Sequence, residues 1–179
     1  MNHKGRTVNY QKWETPRSFV QFVEKQFNVE FDIDVAANDH NKKAPMCYTE
    51  KDDGLTLAWE QWEHRTTYVW CNPPYNNLKE WVEKAIEQTR YDCETYMLIP
   101  AATDTILFHD YIVPNASQIY FIKGRMSFAG KYKEKNASSN HASMLVIFKP
   151  VMNSIYANMF GLYPTLEQRG FGGGTIDNS

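Results

Sequence analysis

Asn72-Pro73-Pro74-Tyr75 places two carbonyl acceptors, a stiffened backbone and an aromatic face within four residues. That combination suits methyl transfer to a planar, aromatic amine. The nitrogen lone pair of such an amine is delocalised into its ring, so a catalyst must make the nitrogen more tetrahedral and aim it at the methyl group. The side-chain carbonyl of Asn72 and the main-chain carbonyl of Pro73 can each accept one N–H of the amine, while proline, with no donor of its own, stiffens the turn. Preorganised geometry then supplies much of the rate, and no covalent nucleophile is needed. Tyr75 offers a stacking surface for a base rotated out of a duplex, a contact worth about 1–3 kcal/mol. The same geometry suits adenine in DNA, adenine in RNA or a protein glutamine. Two readings without chemistry stand beside these: a simple rigid turn between a strand and a helix, and a catalytically silent nucleic-acid-binding module of the same fold.

Such a motif works only if rigid elements hold it. Thr67-Tyr68-Val69-Trp70-Cys71 reads as a buried strand running into Asn72, and Leu78, Trp81, Val82, Ala85 and Ile86 line one face of a helix after Tyr75. Thr15-Pro16 supplies an N-cap followed by proline at the first helical position. Phe19, Val20, Val23 and Phe27 then recur at helical spacing, which predicts a helix from Pro16 to about Phe27. Val29, Phe31, Ile33 and Val35 alternate with Glu30, Asp32 and Asp34, a strand pattern with acidic groups on the other face and Asp34 at its end. A short strand is expected around Met46-Cys47-Tyr48, a longer one over Tyr96 to Pro100, and a helix from Thr105 to Val113. Gln118 to Lys123 and Ser143 to Phe148 read as two late strands. Alternating strands and helices predict an α/β fold, and the adjacent late strands an antiparallel finish. Ligands then gather at the carboxyl ends of the strands, where Asp34 and Asn72 both fall.

At 179 residues one domain is the default. No stretch approaches the roughly 18 apolar residues of a membrane helix, and the polar N-terminus leads into no apolar run, so a cytoplasmic protein is expected. Cys47, Cys71 and Cys93 lack zinc-site spacing and the histidines do not complement them, so buried, reduced thiols and no metal are expected. A net charge of −2 argues against a protein coated in phosphate-binding groups. Lys123, Arg125, Lys131, Lys133 and Lys135 nevertheless concentrate positive charge between the two late strands, where a DNA backbone could lie. Gly170, Gly172, Gly173 and Gly174 mark 169–179 as a flexible tail.

Several landmarks in order make a more specific pattern: Trp13-Glu14-Thr15-Pro16, Asp34-Val35-Ala36-Ala37, Asn41, Tyr48, Asp53-Gly54-Leu55, Trp59, Asn72-Pro73-Pro74-Tyr75 and Gly124-Arg125-Met126-Ser127-Phe128. From about Trp13 to Pro150 the chain resembles the phage-type DNA N-6-adenine methyltransferase (Dam) family. The resemblance implies a Rossmann-like class I methyltransferase fold, S-adenosylmethionine as methyl donor and adenine in double-stranded DNA as acceptor. It implies catalysis by Asn72, Pro73, Pro74 and Tyr75, and a cofactor pocket formed with Trp13, Thr15, Pro16, Asp34, Ala36, Asp53 and Asn72. Asp34 would pair with the amino group of the methionine moiety or with a ribose hydroxyl, and Asp53 would approach the cofactor's adenine. Lys123, Arg125, Lys131 and Lys133 would contact DNA, in a single domain over 1–168 whose recognition loop covers about 124–141. One departure stands out. Many methyltransferases carry a glycine-rich turn after the first strand, whereas Asp34-Val35-Ala36-Ala37-Asn38 has no glycine.

Overall fold

A computed structural model describes residues 14–38, 40–124, 126 and 141–150, together with the backbone of 165–167. Trp13, Arg125, Lys131, Lys133 and the 169–179 tail lie outside the described residues. In chain order the elements are α1 (Arg17–Phe27), β1 (Ile33–Asp34), β2 (Met46–Cys47), β3 (Thr67–Cys71), a 3-10 turn (Tyr75–Asn77), α2 (Leu78–Gln88), a second 3-10 turn (Thr89–Tyr91) and β4 (Cys93–Pro100). A π-helix (Leu107–Ile112), α3 (Val113–Asn115), β5 (Gln118–Lys123), β6 (Ser143–Phe148) and β7 (Thr165–Glu167) follow.

The strands form one mixed sheet in the order β2-β1-β3-β4-β6-β5-β7. β2, β1, β3 and β4 run parallel, and β6 is antiparallel to both β4 and β5. The expected antiparallel finish is present, but the sheet does not end on it: β7, which local sequence pattern did not reveal, pairs parallel with β5.

Both sheet faces are covered. Phe19, Val20 and Val23 of α1 pack on one side with Trp70, Tyr96 and Leu98, whereas Trp81, Val82 and Ala85 of α2 pack on the other with Val69, Met97 and Ile99. Successive residues of β3 and β4 therefore feed opposite layers, which is why these central strands read as nearly continuous apolar runs.

Two expectations change here. The strand pattern of 29–35 shrinks to Ile33–Asp34, because Phe31 packs in the α1 layer whereas Ile33 and Val35 pack in the α2 layer, so the alternation breaks at Asp32. Asp32 turns its carboxylate to the Arg65 guanidinium at 2.6 Å and to the Tyr68 N–H at 2.9 Å. The second change is at α1, which starts at Arg17 with Pro16 in the capping position and no side-chain cap. The Pro16 carbonyl accepts from the Phe19 N–H at 3.1 Å, and the Thr15 hydroxyl is used elsewhere. The helix expected over Thr105 to Val113 is present, but its middle is wound as a π-helix. Cys71 and Cys93 are buried free thiols, while Cys47 is only half-buried.

Candidate active site

β1 and β3 are neighbours in register, with Asp34 opposite Trp70, so the chain leaves both strands at the same edge of the sheet. A cleft of about 450 Å³ opens there, within the usual size range of small-molecule sites. Asn72, Pro73, Pro74 and Tyr75 form one wall, and Asp34 to Asn38 with Asn41 and Lys43 form another. Thr15 closes one side, and Asp53, Gly54 and Leu55 line it further along. The structure thus brings together every described residue expected at the catalytic and cofactor positions except Pro16, which stands at the start of α1 and does not line the cleft.

The local reasons differ from wall to wall. After β3, proline at 73 and 74 keeps the chain extended, with Pro74 at φ −63° and ψ 139°, until Tyr75 begins the 3-10 turn that feeds α2. Asn72 is half-buried, and its Nδ2 donates to Oγ1 of Thr15 at 3.0 Å. Burial pushes the Tyr75 phenol up to about 12, so it remains protonated and serves as a ring with a neutral hydroxyl.

Asp34 is 3% exposed, and that burial raises its carboxyl to about 6. Backbone N–H groups of Lys43 and Ala36 oppose the rise, donating to Oδ2 at 3.0 Å and Oδ1 at 3.3 Å, as do the charges of Lys43 and Arg17. The carboxylate therefore braces the two chain segments that shape its wall. The acidic residues of this segment are not on one solvated face, as alternation suggested, because β1 is flanked by strands and covered by both layers.

The missing glycine turn is answered from another loop. A side-chain carbon on Gly54 would lie 2.3 Å from the Val35 carbonyl oxygen and 3.1 Å from the Trp81 ring, so only glycine permits this approach to the chain after β1. The Gly54 carbonyl accepts the Trp59 indole N–H at 2.7 Å, and Trp59 stacks on Trp81 with centroids 6.2 Å apart. The adjacent acids separate into two roles. Asp52 builds the turn, accepting from the Thr49 N–H and hydroxyl at 2.8 and 2.7 Å, whereas Asp53 adopts a left-handed φ of 55° and lines the cleft.

Lys43, Asn77 and Trp81 also line the cleft, and sequence reading did not assign any of them to a site. Asn77 followed by Glu80 has the spacing of a capping box, yet its side chain makes no cap hydrogen bond. Its Oδ1 and the Trp81 indole N–H are buried with no hydrogen-bond partner among the described residues. Trp81 carried only a helix-periodicity signal, and nothing marked Lys43.

Lys123 is exposed at the end of β5. Registers carry the edge across the sheet, with Cys71 opposite Met97, Pro100 opposite Ser143 and Phe121 opposite Met144. Lys123 and the start of β6 therefore lie at the same sheet edge as Asn72. Among the described residues, no cluster of histidine, cysteine, aspartate or glutamate is arranged to hold a metal ion, and no helix is long and apolar enough to cross a membrane.

The sequence model of a family described as DNA N-6-adenine-methyltransferase (Dam) matches residues 4–165. The DNA N-6-adenine-methyltransferase of Haemophilus phage HP1 (strain HP1c1) is 30% identical over 158 residues, covering 87% of this chain and 87% of that protein. The DNA N-6-adenine-methyltransferase of Escherichia phage T1 is 32% identical over 115 residues, covering 64% of this chain and 46% of that protein. No solved structure gives a significant match.

Proposed function

Because the chain belongs to the DNA N-6-adenine-methyltransferase (Dam) family, we propose that its cleft binds S-adenosylmethionine and that Asn72-Pro73-Pro74-Tyr75 directs methyl transfer to N6 of an adenine turned out of double-stranded DNA. The observation that carries this reading is the position of Asn72: it leaves the end of β3 directly into a cleft large enough for a nucleoside, beside Asp34 at the end of β1. On this reading the sheet is a short form of the Rossmann-like class I methyltransferase fold, with its ligand at the carboxyl ends of parallel strands.

The residues present fit the donor. Trp81 Nε1, a donor, and Asn77 Oδ1, an acceptor, have no hydrogen-bond partner among the described residues and would meet a ring nitrogen and the amine edge of its purine. Gly54 leaves room where any side chain would collide with Val35. Asp34 still has lone pairs beyond those taken by Ala36 and Lys43, and its charge would hold the donor's positively charged amino group. Asp53, which lines the same cleft, would hold the purine. When bound, S-adenosylmethionine supplies an electrophilic methyl group on a sulfonium.

The chain's own work is to hold and orient. The Asn72 side-chain carbonyl and the Pro73 main-chain carbonyl each accept one N–H of the adenine amine, drawing its lone pair out of the ring toward the methyl. As the new N–C bond forms, the methyl–sulfur bond breaks and its electron pair stays on sulfur as a neutral thioether; the amine, now cationic, releases its extra proton to water, so no histidine base is required. Pro74 holds the chain extended, and the Tyr75 ring replaces the stacking that the base loses on leaving the duplex. Lys123, with Arg125, Lys131 and Lys133 of the recognition segment of about 124–141, meets backbone phosphates, within one domain over 1–168. Such an enzyme acts in the cytoplasm of a host cell.

Tritiated S-adenosylmethionine offered with duplex DNA, RNA and protein tests the substrate class. Label is expected in DNA, at N6 of adenine, and label confined to RNA or protein overturns the assignment. The Asn72→Ala variant is expected to lose about 10²- to 10³-fold in transfer rate, the scale of removing one preorganised polar contact from a transition state, while binding the donor as well as wild type does by calorimetry.

A further inference from the structure

The terminal torsion of an asparagine side chain is broad and close to two-fold, so the Asn72 amide does not by itself decide which end meets an incoming amine. The wrong end would set an N–H against another N–H. In the structure the nitrogen end is taken: Nδ2 donates to Thr15 Oγ1 at 3.0 Å, across 57 positions of the chain. Thr15 is 2% exposed and stands two residues before the start of α1, next to the capping Pro16. That helix is anchored by buried Phe19, Val20 and Val23, and its first residue, Arg17, hydrogen-bonds through its guanidinium to the Lys43 carbonyl. The hydroxyl is thus presented from a packed element, which is what precise placement requires.

We propose that Thr15 is a positioning residue for methyl transfer, its hydroxyl holding the nitrogen end of the Asn72 carboxamide so that the oxygen end is offered to the acceptor amine. This rests on the reading of the cleft as the methyl-transfer site. Thr15 acts through Asn72 and moves no proton. Its role differs from a donor contact in what it controls: losing the hydroxyl slows transfer, whereas losing a donor contact weakens donor binding.

The test compares Thr15→Val, which keeps the shape, with Thr15→Ser, which keeps the hydroxyl, in the full chain with duplex DNA and S-adenosylmethionine. Single-turnover transfer is expected to slow about tenfold in Thr15→Val, the effect of about one hydrogen bond's worth of orientation, with donor affinity by calorimetry within about twofold of wild type. Thr15→Ser is expected within about threefold of the wild-type rate. Thr15→Ala, which adds no bulk, carries the same expectation as Thr15→Val if that variant does not fold. In nitrogen-15 spectra the Asn72 side-chain amide signals, identified by their loss in Asn72→Asp, should shift in Thr15→Val and stay in place in Thr15→Ser.

Wild-type rates in both Thr15→Val and Thr15→Ala overturn the proposal. So does a rate loss matched by an equal loss of donor affinity, or a Thr15→Ser variant as slow as Thr15→Val. If Asn72→Ala is inactive while Thr15→Val is fully active, only the positioning role fails. A wild-type protein that methylates no DNA takes both down.

Discussion

Tyr75 and Trp81 touch the same cleft but are asked for different things. Burial holds the Tyr75 phenol at about 12, so its hydroxyl has no acid–base part near neutrality, and the proposed role falls to its ring. Tyr75→Phe is therefore expected to retain transfer within a few-fold, whereas Tyr75→Ala should lose about 1–3 kcal/mol of stacking, roughly 5- to 150-fold in kcat/KM. Steady-state kinetics on duplex DNA checks this, and equal losses in the two variants would assign the role to the hydroxyl. Trp81 has a buried indole N–H with no hydrogen-bond partner among the described residues, which the proposed reading gives to the donor's purine. Trp81→Phe keeps most of the packing against Trp59 but removes the donor, so donor affinity by calorimetry should fall about 5- to 10-fold, the range for one hydrogen bond. Unchanged affinity would place the purine elsewhere.

Between elements, no glycine follows Asp34, and the close backbone approach to the end of β1 is made by the 49–55 loop. Gly54 abuts the Val35 carbonyl, and its own carbonyl receives the Trp59 indole, so one residue ties the loop, the end of β1 and α2 together. A methyl group there would meet backbone at 2.3 Å, and backbone cannot rotate aside as a side chain can. Gly54→Ala is expected to cost about 1–3 kcal/mol, typical of overpacking, and to lower the midpoint of thermal unfolding by several degrees. A thermal melt of the variant showing no change would mean that the loop relaxes freely. The alanines after Asp34 were the visible departure in the sequence, while the compensating glycine lay 20 positions away and was identifiable only once the two segments were seen in contact.

For the whole molecule, Asp34 links protonation to both folding and binding. Its folded value of about 6 lies above the ordinary carboxylate value, so the folded state holds the proton more tightly than the unfolded chain does. The contribution of this group to stability is greatest below about pH 4 and is lost as pH rises to about 6. On the proposed pairing of Asp34 with the donor's amino group, donor binding would run the opposite way, since only the ionised carboxylate attracts that positive charge. The ionised fraction rises about tenfold between pH 5 and pH 7, and donor affinity should rise by a similar factor. Calorimetric titration at the two pH values tests this, and an affinity that stays flat would favour a neutral ribose hydroxyl as the partner of Asp34.

By itself the sequence determined the elements whose signals are local. The β3 run into Asn72, the apolar face of α2 and the limits of β5 and β6 follow from periodicities of 2 and 3.6, and the chemistry proposed for Asn72-Pro73-Pro74-Tyr75 rests on functional groups adjacent in the chain. Tertiary structure decided whatever depends on distant segments meeting. It shortened β1 by sending Phe31 and Ile33 to opposite layers, added β7 beside β5, took the Thr15 hydroxyl from helix capping to Asn72, and gave Gly54 its purpose against Val35. The division has a physical cause. Hydrophobic patterning acts through burial and repeats along the chain, whereas a hydrogen bond or a steric limit depends on which atoms the fold brings within about 3 Å of one another.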